Sequence, residues 1–236
     1  MIELFGFVFG AVISSYLYTT VERNVDSKNK TLFSRCNKCK KRLVWYELVP
    51  LLSYLIQLGK CRKCKNIIPI RYFLLELIFG LIFLFFYLFF NNLIEAIGLC
   101  LIFSILFYIS YYDFLTQEIS EIALALLFVV ILISLFVLNN ITILNLYGAL
   151  VSGGIIFLFY YLSKEKAMGF GDVELALALG FWIGSEWSLY FIFLAFILGG
   201  IYGAIVLLFK ISKLKDRVAF GPFLALSSLI IYIFSI

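Results

Sequence analysis

Long apolar runs separated by short polar segments fill most of this 236-residue chain. An α-helix needs roughly 20 mostly apolar residues to cross a bilayer. The pattern therefore predicts an all-α, polytopic membrane protein with about eight transmembrane helices. The predicted spans are residues 2–20, two helices within 72–112 that separate near Asn91 and Asn92, then 122–138, 143–162, 173–187, 188–209 and 219–236.

The longest polar segment, residues 21–71, divides the chain into three predicted domains. Residues 1–20 form a first transmembrane helix, 21–71 a small domain outside the membrane, and 72–236 a transmembrane bundle. The first run lacks a basic region before it and an A-x-A-like cleavage site, so we expect a retained helix and not a signal peptide. Small residues let helix backbones approach, so we expect close packing at Gly199, Gly200 and Gly203.

The composition supports a membrane protein and removes several kinds of chemistry. Hydrophobic residues make up 64% of the chain and charged residues 14%, whereas soluble domains average roughly 45–50% and about 25%. The chain contains no histidine. That absence excludes Ser-His-Asp and Cys-His nucleophile systems, histidine-ligated haem and zinc sites that use histidine.

The basic residues indicate which loops face the cytoplasm. Of the 19 Lys and Arg residues, 13 lie within 21–71, and the others are Lys164, Lys166, Lys210, Lys213, Lys215 and Arg217. With eight spans, all of them fall on one side of the membrane, as the positive-inside rule expects of cytoplasmic loops. We therefore predict that residues 21–71 are cytoplasmic and that both chain ends lie on the opposite, extracytoplasmic side of the membrane. This basic face is expected to meet anionic lipid head groups of the bilayer and not nucleic acid.

Two Cys-x-x-Cys pairs in the 21–71 segment predict a metal site. Cys36 and Cys39 are separated by 21 residues from Cys61 and Cys64. The pattern is typical of a tetrahedral zinc site, because each pair can place two sulfur atoms on one ion. Four protein ligands leave no open position, so we predict a structural Zn2+ ion. A redox pair or free thiols are the alternatives.

Two aspartates at the ends of predicted spans are candidates for catalysis. Asp113 ends the third span, and Asp172 begins the sixth after Gly169 and Gly171. Ionisable residues at membrane depth are costly and mark function by default, and glycines permit a substrate backbone to approach closely. Two adjoining carboxylates can share one proton and cleave a peptide bond, one as base and one as acid. By position alone, helix capping is an equally good interpretation of Asp172.

In their order and spacing, these elements resemble the bacterial prepilin peptidases, the type IV leader peptidases of the GxGD aspartyl protease class. The resemblance covers nearly the whole chain. Its residues are the two cysteine pairs, Asp113, and the segments 45–55 (WYELVPLLSYL), 68–72 (IPIRY) with Glu76, 169–172 (GFGD) and 220–225 (FGPFLA).

The resemblance implies a membrane endopeptidase that removes the leader of type IV prepilins or pseudopilins at the cytoplasmic face of the bacterial inner membrane. Asp113 and Asp172 would be the catalytic pair, with Gly169 and Gly171 beside the substrate. The four cysteines would hold zinc. Many members also N-methylate the new terminus with S-adenosylmethionine, so this second activity and cofactor are expected too. Such enzymes serve pilus assembly and protein secretion.

Two positions depart from the family pattern near the aspartates. Ser120 stands where the family usually has proline, and Glu174 where it usually has lysine. Family leaders are short and basic and precede an apolar helix. Glu47, Glu118 and Glu121 are therefore candidates for binding a leader, and solvated loop charges are the alternative interpretation.

Two other functions fit parts of the sequence. A proton- or ion-coupled transporter would use membrane carboxylates, although both aspartates are predicted at one face. A non-enzymatic membrane adaptor would use the zinc module as its docking surface, which leaves the 169–172 segment unexplained.

Overall fold

The computed structural model describes residues 2–25, 34–36, 38–164, 168–209 and 219–235. Over these residues the chain forms nine α-helices and one short 3-10 turn, Trp45–Glu47. The helices are α1 (Ile2–Val25), α2 (Leu52–Ile56), α3 (Ile70–Phe89), α4 (Leu93–Thr116), α5 (Glu121–Val137), α6 (Ile143–Leu162), α7 (Phe170–Ile183), α8 (Ser185–Leu208) and α9 (Gly221–Phe234). The described part holds no β-strand, only two isolated bridges.

Each of the predicted apolar runs coincides with one helix, and the predicted and observed boundaries differ by a few residues. The break near Asn91 and Asn92 is confirmed, because α3 ends at Phe89 and α4 begins at Leu93. The predicted 173–187 and 188–209 runs meet earlier than expected. Gly184 adopts a φ of +84°, which ends α7 and lets α8 begin at the next residue.

Length and hydropathy qualify five of the described helices to cross a membrane: α1, α3, α4, α6 and α8. Two more, α5 and α9, are shorter apolar helices. The fourteen residues of α7 give a helix about 21 Å long, less than the roughly 30 Å hydrocarbon core. The polytopic all-helical architecture is therefore confirmed, while the number of eight crossings stays a prediction.

The chain divides into two compact units, residues 1–100 and 101–236, with the boundary inside α4. The predicted domain limits at residues 20 and 71 separate the membrane segments from the segment outside the membrane. These limits stay a prediction. Of the basic residues that were assigned to the cytoplasmic side, Lys28, Lys30, Lys166, Lys210, Lys213, Lys215 and Arg217 lie outside the described residues.

In the first unit, α1 packs along α3. Glu22 on α1 accepts hydrogen bonds from Arg71 at 3.3 Å and from the Tyr72 hydroxyl at 3.1 Å. Glu76 is buried in α3, and its carboxylate accepts the N–H of Leu51 at 2.7 Å. Leu51 has a φ of +61°, a conformation that leucine rarely adopts. The buried glutamate thus fastens the loop before α2 to the helix.

In the second unit, α7 is the central helix and packs against α5, α6, α8 and α9. Its closest neighbour is α6, where Ser152 donates to the carbonyl of Ala176 at 2.9 Å. Asn145 donates to the carbonyl of Phe181 at 2.9 Å. These bonds tie polar side chains of α6 to the backbone of α7, so the two helices are held in one register.

Glycines allow this close approach, but at positions other than the predicted ones. A Cβ atom at Gly148 of α6 would lie 2.8 Å from the Cα of Gly184 and would overlap the carbonyl oxygen of Gly180. Of the three predicted glycines, Gly199 does pack closely, because an added Cβ would lie 3.3 Å from the ring of Phe220 and 3.4 Å from that of Phe223. Gly200 and Gly203, in contrast, have no neighbour within 4 Å of an added Cβ. The prediction of close packing at Gly200 and Gly203 was wrong, because these residues face away from the other described helices.

We expect Gly148→Ala to destabilise the second unit, because the new methyl group meets backbone that cannot move aside. Overpacking of this kind costs about 1–3 kcal/mol. Thermal unfolding in detergent should show a lower midpoint than the wild type. The matched control is Gly154→Ala in the same helix, where an added Cβ meets nothing within 4 Å. Equal midpoints for the two variants would contradict this account of the packing.

Candidate active site and metal centre

The four cysteines predicted to bind metal form one cluster. The sulfur atoms of Cys36 and Cys64 lie 3.7 Å apart, and those of Cys39 and Cys61 lie 4.0 Å apart. All four sulfurs lie within 4.8 Å of one another, and none forms a disulfide. A tetrahedral ion with metal–sulfur bonds of about 2.3 Å requires sulfur–sulfur distances of about 3.8 Å. The cluster therefore fits a metal ion with four thiolate ligands.

The two cysteine pairs are built as equivalent turns. In the first, Lys40 donates its N–H to the carbonyl of Cys36, and in the second Lys65 donates to the carbonyl of Cys61, each at 2.9 Å. Both lysines adopt a positive φ, +55° and +57°. An antiparallel bridge closes each turn, between residues 35 and 42 and between residues 60 and 67. Local backbone geometry thus presents two sulfurs from each turn.

Backbone donors prepare two of the four thiols for ionisation. The N–H groups of Cys64 and Lys63 lower the pKa of Cys61 to about 6, and the N–H of Cys39 lowers the pKa of Cys36. The N–H of Asn66 acts in the same direction on Cys64, but burial and the neighbouring sulfurs outweigh it and raise that pKa to about 11. Negative charges on four sulfur atoms at this spacing repel one another and oppose full ionisation of the thiols. A divalent cation bound among them would favour full ionisation.

Glu47, a predicted leader-binding residue, is an internal part of this cysteine-rich segment. It is 6% exposed, and its carboxylate accepts a hydrogen bond from Lys41 at 3.0 Å. The N–H of Val44 donates to its other oxygen at 3.1 Å. Burial alone would raise its pKa, but these two contacts hold the pKa below the ordinary value. The contacts favour a structural role, and leader binding by Glu47 stays a prediction.

Asp172 lies in the first turn of α7, 8% exposed. Its Oδ2 atom accepts the N–H of Gly169, the residue before the helix, at 3.1 Å. Asp172 therefore caps α7 through its Oδ2 atom, as the capping interpretation of this residue predicts. Capping does not explain the burial of the carboxylate or what lies beside it.

Asp113 lies near the end of α4 and is 4% exposed. Its Oδ2 atom accepts the N–H of Gly221, the first residue of α9, at 3.0 Å. A Cβ atom at Gly221 would lie only 2.7 Å from that oxygen. A side chain at position 221 would push the carboxylate aside, so glycine favours this approach, and Pro222 adds no competing N–H in the first turn. Both aspartates accept a backbone donor at a helix N-terminus, where the helix dipole favours negative charge.

Asp113 and Asp172 are 59 positions apart in the sequence, and both are buried in the second unit. A negative charge on Asp113 disfavours a negative charge on Asp172. Two carboxyl groups that adjoin can hold one proton between them and bind a water molecule.

The remaining predicted site residues lie around this pair. Gly169 is exposed, and a Cβ atom there would make ordinary contact with the Asp172 carboxylate at 3.8 Å, whereas a Cβ atom at Gly171 would lie 2.9 Å from the Cβ of Ile119. The loop after Asp113 therefore packs on the glycine segment. Glu118 is exposed in that same loop and has no ion pair with the described residues.

Sequence reasoning missed the roles of Gly221 and Ile119. The glycine–proline pair at 221–222 is a signature of a helix N-terminus. This pair could have predicted the start of α9, but not which residue lies beside it. Nothing in the sequence alone indicates that α9 begins beside Asp113, because that contact joins residues 108 positions apart.

Known families match most of the chain. Residues 8–90 match the bacterial peptidase A24 N-terminal domain, and residues 100–204 match the type IV leader peptidase family. The catalytic candidates Asp113 and Asp172 fall within the second match, and the four cysteines fall within the first.

Similar proteins are named prepilin leader peptidase/N-methyltransferase. The Stutzerimonas stutzeri protein is 31% identical over 199 residues, which cover 82% of this chain and 69% of that protein. The Vibrio cholerae protein is 29% identical over 72% of this chain and 69% of its own length. The Bacillus subtilis protein is 25% identical over 97% of this chain and 92% of its own. No solved structure matches the chain.

We expect one divalent metal ion per chain in the purified protein, measured by elemental analysis. Cys61→Ser removes one of four ligands and should abolish stoichiometric binding. Cys100→Ser is the matched control, because Cys100 is a buried thiol in α4 outside the cluster. Equal metal content in both variants would show that the cluster does not bind the ion.

Proposed function

Because the chain belongs to the type IV leader peptidase family, we propose that it removes the leaders of type IV prepilins or pseudopilins as a membrane aspartyl endopeptidase. The observation that carries the proposal is the buried pair Asp113 and Asp172. Each carboxylate accepts a glycine N–H at a helix N-terminus, and their charges interact. A transporter or an adaptor would need neither this pairing nor the glycines that permit it.

The proposed reaction uses one ionised and one protonated carboxyl group. The ionised group takes a proton from a water molecule while the water oxygen bonds to the scissile carbonyl carbon. The protonated group gives its proton to the carbonyl oxygen. Collapse of the tetrahedral intermediate breaks the C–N bond. The first carboxyl group passes the proton it took from water to the leaving amine, and the hydroxyl formed from the carbonyl returns its proton to the second carboxylate, which restores the starting pair. The helix N-terminal N–H groups of Gly169 and Gly221 hold the carboxylates in position throughout.

We further propose that the cysteine cluster holds Zn2+. Its sulfur distances suit this ion, and four thiolates leave no open coordination position. The ion then stabilises a segment that contains little hydrophobic core, because its helical elements are only three and five residues long. It takes no part in peptide cleavage.

The chain is a multi-pass membrane protein, and we propose that it crosses the bacterial inner membrane eight times with the metal module and the aspartates in the cytoplasm. The distribution of basic residues supports this orientation. The short helices α5, α7 and α9 would cross where neighbouring helices cover them or where the bilayer is locally thinner.

A second activity is proposed from the names of the relatives. These proteins are named as both peptidase and N-methyltransferase. The corresponding reaction would transfer a methyl group from S-adenosylmethionine to the amine that cleavage exposes. The new terminus is the product of the first reaction, so methylation would follow cleavage.

Asp113→Asn and Asp172→Asn should each abolish cleavage of a synthetic prepilin in detergent, followed by mass spectrometry. Loss of general acid–base catalysis lowers the rate by about 100- to 10,000-fold. Glu186→Gln, an exposed acid at the start of α8, is the control and should cleave normally. Full activity of either aspartate variant would refute the catalytic assignment.

Gly221→Ala should lower kcat more than it changes KM, because the added methyl group displaces the Asp113 carboxylate and leaves substrate binding intact. Misplacing a catalytic group by about 1 Å can cost about 100-fold. Gly200→Ala, where an added Cβ meets nothing within 4 Å, tests whether any new methyl group has this effect. An unchanged kcat for Gly221→Ala would argue against the positioning role.

A further inference from the structure

The short helix α2 is docked on the start of α3. The N–H of Leu51, the residue before α2, donates to the buried carboxylate of Glu76 in α3 at 2.7 Å. The ring of Tyr54 in α2 packs on the ring of Phe73 in α3, and their centroids are 5.2 Å apart. Phe73 and Glu76 lie three and six residues after the first residue of α3. These contacts therefore place α2 beside the first two turns of α3.

The length of α3 fixes the depth of these contacts in a membrane. The helix qualifies as a membrane span, and its 20 residues give a length of about 30 Å. The hydrocarbon core is also about 30 Å thick, so a crossing α3 has no turn to spare outside it. Glu76 lies about 9 Å along the helix, and its side chain leans back toward the N-terminus. The N–H of Leu51 is thus held at the boundary between hydrocarbon and head groups.

The face of α2 that points away from α3 is apolar and exposed. It consists of Leu52, Leu55 and Ile56, each more than half exposed. At about 100° per residue these three fall within an arc of about 100°, and Tyr54 lies about 150° from the centre of that arc. Leu58, two residues after the helix, is 84% exposed. Large apolar side chains that are exposed together are typical of a surface that binds a protein or a membrane.

The charges around this face are all of one sign. Residues 48–75 contain five basic residues and no acidic residue. Three of the basic residues, Lys60, Lys63 and Lys65, are exposed on the second cysteine turn, and no ion pair joins them to the described residues. Lys60 forms its bridge with Ile67, which is another exposed apolar residue. An apolar face followed by cations complements a leaflet that contains anionic lipid.

We propose that the apolar face of α2 and Leu58 insert into the leaflet from which the chain enters α3, and that Lys60, Lys63 and Lys65 bind anionic lipid head groups there. Position selects lipid over a protein partner, because the contacts with α3 hold this face at the level where a bilayer surrounds that helix. The second cysteine turn then lies against the membrane surface. This lipid site is independent of the peptidase activity.

The test is photo-crosslinking of the full chain in nanodiscs of equal phosphatidylglycerol and phosphatidylcholine. The photoreactive amino acid p-benzoylphenylalanine replaces Leu55 in one variant and Tyr54 in another, and mass spectrometry identifies the adducts. At position 55 the main adducts should be to lipid acyl chains. Position 54 is the matched control on the opposite side of the same helix. There the label resembles the ring that it replaces, and its adducts should be to protein.

Two results at position 55 would overturn the proposal. Adducts mainly to protein, whether within the same chain or in a second copy, would show that protein covers this face. A lack of adducts would show that the face lies in water, because water gives the label no stable product. A size-exclusion profile that matches the wild type establishes that each variant is folded before labelling.

The cations are tested with the label at position 58. Lipid adducts there should contain about fivefold more phosphatidylglycerol than phosphatidylcholine, the preference expected of one basic residue near an anionic surface. Lys60→Gln/Lys63→Gln/Lys65→Gln should make the two lipids equal among the adducts. The matched control, Lys60→Arg/Lys63→Arg/Lys65→Arg, keeps the charges and should keep the preference. Equal preferences in these two variants would refute head-group binding by the three lysines.

Discussion

A carboxylate that is withdrawn from water needs hydrogen-bond donors, and this requirement organises the second unit. Asp113 and Asp172 are both buried, and each takes its donor from the start of a helix. Helix N-termini supply unpaired N–H groups and a favourable dipole together. The start of α9 therefore lies beside the end of α4, where the N–H of Gly221 reaches Asp113.

Close backbone packing keeps α7 in place. Gly148 and Gly180 bring α6 and α7 together, and side chains of Asn145 and Ser152 donate to carbonyls of α7. Lipid gives helices little hydrophobic reason to associate, so small residues and interhelical hydrogen bonds supply the attraction. The position of Asp172 thus depends on contacts along the whole helix and not only on its own turn.

The cysteine cluster depends on different physics from the aspartate pair. Each Cys-x-x-Cys turn is closed by its own backbone hydrogen bonds, and the pKa values of Cys36 and Cys61 are lowered by N–H groups within their own turns. Such a site is set by short-range geometry. The aspartate site requires helices from distant parts of the chain.

The sequence by itself predicted the helices, the break near Asn91, the clustered cysteines and the two candidate catalytic aspartates, because apolar run length and ligand spacing are local properties. It also indicated the family, through motifs in a fixed order. Only the tertiary structure decided that Gly221 faces Asp113 and that Glu47 is buried beside Lys41. These facts depend on how helices distant in sequence pack, and apolar periodicity is uninformative there because lipid-facing and buried surfaces are both hydrophobic.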